Sequence, residues 1–160
     1  MIIFLRRLLL LLSLMFWQGG FTFYGAVVVP IGSSLLGSGT EQGFITRSVT
    51  NYLNLAGVVA LAIWAWELAA VRGTSSGGRR LRFSIWTGCA LCQVALIWMH
   101  WKLDQFLVPE DATILDPQRF HSLHETYLTI SGVQWGGCLV LTALTLWSWR
   151  VEDSAPVSPS

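Results

Sequence analysis

Four stretches of the chain stay apolar long enough to cross a bilayer, each interrupted at helical spacing by a few polar residues. About 20 apolar residues in a helix rising about 1.5 Å per residue span the hydrocarbon core. The pattern predicts spans at about residues 3–29, 44–71, 81–102 and 121–149. The last of them, FHSLHETYLTISGVQWGGCLVLTALTLWSWR over Phe120–Arg150, is the most informative. In it His124, Tyr127, Ser131, Gln134 and Cys138 recur every 3 or 4 residues. At about 100° per residue they form one stripe. Similar stripes run through Gln18, Thr22 and Gly25, through Arg47, Asn51 and Asn54, and through Cys89, Gln93, His100 and Asp104. Lipid offers such groups no hydrogen bonds, so the stripes should face one another. The expected fold is all-α: an antiparallel four-helix transmembrane bundle forming one domain over residues 1–150, with a disordered cytoplasmic tail at 151–160.

The breaks between spans fit this reading. Pro30–Gly43 carries four glycines, at 32, 37, 39 and 43, and reads as a loop that ends the first helix. Arg72–Arg82 is a basic, glycine-rich connection, and Leu103–Arg119 an acidic loop containing Pro109 and Pro117. Trp64, Trp66, Trp98, Trp101, Trp147 and Trp149 sit near span ends, where indoles favour the membrane–water boundary. A cleaved signal peptide is the rival reading of the start. Its apolar region would be about 7–15 residues, whereas apolar character here resumes past Gly19-Gly20 as FTFYGAVVVP, which favours an uncleaved span.

Composition reinforces the pattern. Of 160 residues, 53% are hydrophobic and 12% charged, against about 25% charged in a soluble domain. The mean hydropathy is +0.56. A net charge of +1 provides no field for nucleic acid, so the bilayer is the expected partner, with a homo-oligomer as a further one. Seven basic residues (Arg6, Arg7, Arg72, Arg79, Arg80, Arg82, Arg150) fall on one side and three (Arg47, Lys102, Arg119) on the other. The positive-inside rule then places both termini in the cytoplasm of a multi-pass cell-membrane protein. Glu41, Asp104, Glu110, Asp111, Asp116 and Glu125 make the opposite side acidic.

Candidate chemistry gathers at that acidic side. All three histidines lie there: His100 one turn before Asp104, and His121 and His124 beside Glu125. Imidazole and carboxylate one turn apart on facing helices can hold a divalent metal, and two imidazoles can hold haem. The plainer reading is interfacial histidines bonded to the acidic loop. Arg47, Asn51 and Asn54 enter from the same side and suit an anionic group, or simply amide and ion-pair contacts between helices. Cys89-x-x-Cys92 has thiol-redox spacing but lies toward the cytoplasmic half, so small buried residues explain it better. Glu67, roughly opposite Asn54 on its helix, is an intramembrane acid with Arg72 and the basic loop within reach. No catalytic constellation is visible.

The segments GGFTFYGAVVVP (19–30), QGFITRSVTNYLNLAG (42–57) and FHSLHETYL (120–128) resemble the four-helix membrane family that includes animal transmembrane protein 205 and bacterial proteins of the same uncharacterised domain. The shared pattern falls on Gly20, Pro30, Phe120, Leu123 and His124. The resemblance implies a glycine-bearing first span ending in proline and a Phe-x-x-Leu-His start to the last helix. It implies no established activity, only a link to small-solute or metal handling. The expected function is binding or movement of a small solute or metal ion through the outer polar seam, which adds Gln18, Thr22, Gln93, Tyr127, Ser131 and Gln134 to the residues above. The alternatives are a structural or assembly protein without ligand and a haem- or quinone-linked oxidoreductase.

Overall fold

The computed structural model describes residues 1–36, 39–70, 76–108 and 113–154. Helix α1 is Ile2–Leu36, α2 Gly39–Ala70, α3 Ser76–Asp104 and α4 Pro117–Asp153. Strands β1 (Leu107–Val108) and β2 (Thr113–Ile114) pair antiparallel between α3 and α4. The fold is all-α apart from that pair. Each of the four helices is long and apolar enough to span a membrane, which makes the chain an integral membrane protein with four candidate spans.

The first helix does not end at Pro30. Proline lacks an N–H, and its ring crowds the carbonyl four residues back, so a helix usually stops or kinks there. Here a π turn over Tyr24–Val28 precedes it, and the Val29 N–H bonds the Tyr24 carbonyl five residues back. One extra residue in the turn reshapes the ladder just before Pro30, and the helix continues to Leu36. The loop expected at Pro30–Gly43 is therefore mostly helix, with only residues 37 and 38 outside the described helices.

The other helices also outrun their expected spans. α4 starts at Pro117 because Asp116 caps it: the side-chain Oδ1 accepts from the Arg119 N–H at 3.1 Å, and proline fits the first helical position. It ends at Asp153, so the expected tail begins as helix. Residues 155–160 of that tail, like Arg72, Glu110 and Asp111, lie outside the described residues. The strand pair replaces part of the expected acidic loop. Leu107 pairs with Ile114 and Val108 with Thr113, and the Leu115 N–H bonds the Phe106 carbonyl at 2.9 Å. Leu107 of β1 is buried.

Arg7 on α1 reaches Asp153 on α4 at 2.8 Å and Glu152 at 3.0 Å. The start of the chain and the end of α4 thus share one end of the bundle, here the termini end. The strand pair marks the other, the hairpin end. The termini half is solid, with Leu10, Leu14, Ala60, Trp64, Leu68 and Leu141 buried together. Trp64 and Trp149 were expected at the membrane boundary, yet both are buried. Each indole N–H finds an internal acceptor, Thr145 Oγ1 at 3.2 Å and Glu67 Oε1 at 2.6 Å, so each ring packs without an orphaned donor. Trp66, Trp98, Trp101 and Trp147 are exposed, as boundary residues should be.

Packing is extensive between α1 and α2, α2 and α3, and α3 and α4. Among the described residues α1 and α4 make no comparable contact. Long side chains bridge them instead: the Arg7 pairs at the termini end, with its guanidinium 5.0 Å from the Trp149 ring, and a 3.1 Å bond from Trp135 Nε1 to Thr22 Oγ1 further along.

A cavity at the hairpin end

The polar seam forms on three helices. Gln93 Nε2 on α3 donates to Asn54 Oδ1 on α2 at 3.1 Å. Gln134 Nε2 on α4 donates to Gln93 Oε1 and to the Cys89 carbonyl, both at 3.0 Å. All three side chains are buried, and each supplies what the next one lacks, as amides in a low-dielectric interior must. Ser131 is buried beside them, and Tyr127 is half-buried one turn nearer the hairpin end. Replacing Gln93 with leucine should cost about 1–2 kcal/mol, because the Gln134 and Asn54 amides both lose a partner. Reversible unfolding by dodecyl sulfate in mixed micelles, followed by circular dichroism, measures it.

Above this amide layer, toward the hairpin end, lies a cavity of about 500 Å³ bounded by all four helices and β1. Its deep wall is apolar and aromatic, with Trp17, Phe21, Leu53 and Leu96. Its hairpin-end wall carries Gln42, Arg47, His100, Asp104 and His124. Arg47 Nε lies 2.9 Å from Asp104 Oδ1, a charge contact that is not an aligned hydrogen bond. His100 Nε2 stands 3.8 Å from Asp104 Oδ2, too far to bond it. Phe120 and His124 stack with centroids 6.0 Å apart. The His100 Nε2 atom and both amide atoms of Gln42 are buried without a hydrogen-bond partner.

The expected metal set does not converge. His100, Asp104 and His124 line the cavity, whereas His121 and Glu125 pair with each other at 3.1 Å on the exposed face of α4. Among the described residues no group of three or more His, Cys, Asp or Glu side chains is placed to hold a metal ion. The i,i+4 spacing that puts His121 beside Glu125 also turns both away from His100.

Three other seam expectations shift. On α1, Leu10, Leu14 and Trp17 face inward, so Thr22 is exposed and serves the Trp135 bridge, while Gln18 is half-buried outside the amide layer. On α2, Asn51 is exposed. It lies about 60° to one side of Asn54, and Gly57 lies about 60° to the other. Gly57, Leu61, Trp64 and Leu68 are the buried ones, so the packed arc lies on the Gly57 side. The same displacement buries Glu67, which is 0% exposed. Its ion-pair partner is Arg6 on α1, its other oxygen accepts from Trp149, and buried Arg82 of the basic connection lies within electrostatic reach of it.

Gln42, Thr46 and Thr50 form the cavity side of α2 and were not among the expected site residues. The signal was present: Gln42, Thr46, Thr50 and Asn54 repeat every 4 residues. Beginning the helix at Phe44 hid its first member. Compared with models of known protein families, with curated proteins and with solved structures, the chain matches none. Four long apolar helices packed as a four-helix membrane protein are what the sequence and the structure establish together.

Proposed function

We propose that this protein binds a small solute in the hairpin-end cavity. The observation that carries the reading is the wall itself: Gln42 and His100 line a space of about 500 Å³ and carry buried polar atoms without partners. A buried unsatisfied amide costs about 1–3 kcal/mol, and a ligand that bonds it recovers that cost. The volume lies in the usual range for small-molecule sites, about 300–1,000 Å³. Water or a ligand is the expected occupant of so polar a rim.

Binding is favoured over conduction. The termini half beneath the amide layer is filled by Trp64, Leu141 and their neighbours, so a path through one copy would require that plug to move. The arginine distribution supports a cytoplasmic position for both termini, and with that orientation the cavity opens toward the outer leaflet. The likeness of three segments to the transmembrane protein 205 family is compatible with solute handling and adds no ligand identity.

Gly25 provides the test. It borders the cavity, and a Cβ there meets nothing within 4 Å. Gly25→Phe should fill the space while leaving the helices in place. Native mass spectrometry from mild detergent should show a small adduct on the unmodified protein and a loss of at least tenfold in its occupancy on the variant. Equal occupancy on two equally helical proteins, or no adduct on either, removes the proposal.

A further inference from the structure

We infer that the ligand is a lipid-like molecule with an uncharged, oxygen-bearing head, and that it enters sideways from the bilayer between α1 and α4. This rests on the cavity reading above and adds the route and the chemistry.

The route follows from which wall is open. The residues that α2 and α3 contribute to the cavity are buried or half-buried, among them Asn54, Gln93, Leu96 and His100. Cavity residues that are also exposed stand on the other two helices, Gly25 and Ser33 on α1 and Leu128 on α4. Among the described residues these two sequence-terminal helices make no extensive contact with each other. The Thr22–Trp135 bond crosses between them in midspan. A gap between two apolar spans faces acyl chains, not water.

The chemistry follows from where hydrogen-bonding capacity remains. The deep amides Asn54, Gln93 and Gln134 bond one another. Unused capacity is greatest near the hairpin end, at both amide atoms of Gln42 three residues inside α2 and at His100 one turn from the end of α3, with the Ser131 hydroxyl adding a single deeper site beside the amides. Apolar Phe21, Leu53 and Leu96 form the wall between. A ligand therefore lies head toward the hairpin end and tail inward, the orientation of a lipid in that leaflet. The head is uncharged because Arg47 already faces Asp104 and their charges cancel. An ionised head would be buried without a counter-charge. Hydroxyl, ester or carbonyl oxygens suit the free amide of Gln42, which both donates and accepts.

The test uses the full chain in phosphatidylcholine nanodiscs with a monoacylglycerol carrying a diazirine in its acyl chain. After irradiation, adducts should map to cavity-lining positions of α1 and α4. Excess 1-oleoylglycerol should lower labelling at least tenfold, while oleate or glycerol should lower it less than twofold. Gln42→Leu should reduce labelling about fivefold, and Gly25→Phe should abolish it where Gly25→Ala does not. Labelling spread over the lipid-facing surface and indifferent to Gly25→Phe sinks the inference. Competition by oleate equal to that by 1-oleoylglycerol refutes the uncharged head, and competition by glycerol alone refutes the lipid-like body. The adduct experiment on Gly25→Phe separates the two levels: a cavity-dependent adduct with cavity-independent labelling leaves solute binding standing and removes only this inference.

Discussion

Glu67→Ala is expected to destabilise the bundle by about 3–5 kcal/mol, because it strands the Arg6 guanidinium as an unpaired charge inside the protein. Glu67 is fully buried, Arg6 is 9% exposed, and the two form an ion pair between α2 and α1. The second carboxylate oxygen holds Trp149 of α4 at 2.6 Å, so one side chain ties three helices at the termini end. Buried Arg82 brings α3 within electrostatic reach of Glu67 and Glu152. Pairing at such depth fixes which helices meet more than it adds stability, since both charges are desolvated. The double variant Arg6→Leu/Glu67→Leu should accordingly recover most of the loss. Dodecyl sulfate unfolding in mixed micelles, run on both singles and the double, checks this. Additive losses in the double variant would rule out a direct pair.

Gly57→Ala should cost about 1–3 kcal/mol, although alanine is the better helix former by about 1 kcal/mol. A Cβ at residue 57 would lie 2.4 Å from Gln93 Oε1 and 2.8 Å from Trp17 Cε2. Gln93 is held in the amide layer and Trp17 is buried, so neither yields freely. Gly57 is the point where α2 comes close to both α1 and α3. Gly88→Ala and Gly132→Ala are the controls, since a Cβ at either meets nothing within 4 Å. Both should be neutral or gain up to about 1 kcal/mol in the same unfolding measurement. A neutral Gly57→Ala would show that α2 sits farther from Trp17 than described.

The amide layer was legible because Asn54, Gln93 and Gln134 stand in polar stripes at helical intervals in otherwise apolar spans, and lipid leaves such groups one place to go. The cavity wall was less legible. Pro30 reads as a stop, and only the π turn before it lets α1 continue past the rim. Starting α2 at Phe44 concealed Gln42, whose repeat with Thr46, Thr50 and Asn54 marks the wall. The five residues of the expected metal set are divided between two faces for a rotational reason. Neighbours in sequence such as His124 and Glu125 differ by about 100° around a helix, and only one can face inward.

Taken alone, the sequence determined four spans, the all-α class and the polar stripes of α3 and α4, because apolar run length and 3.6-residue periodicity are local properties. The three-dimensional packing decided the rest: that Arg6 meets Glu67, that Trp64 and Trp149 are internal, that Asn51 is not, and that α1 and α4 stand apart over a cavity. Those outcomes depend on how each helix is rotated and which neighbours it touches. A single helix's periodicity fixes a stripe but not its partner, and partners 61 or 82 residues away are chosen only when the helices pack.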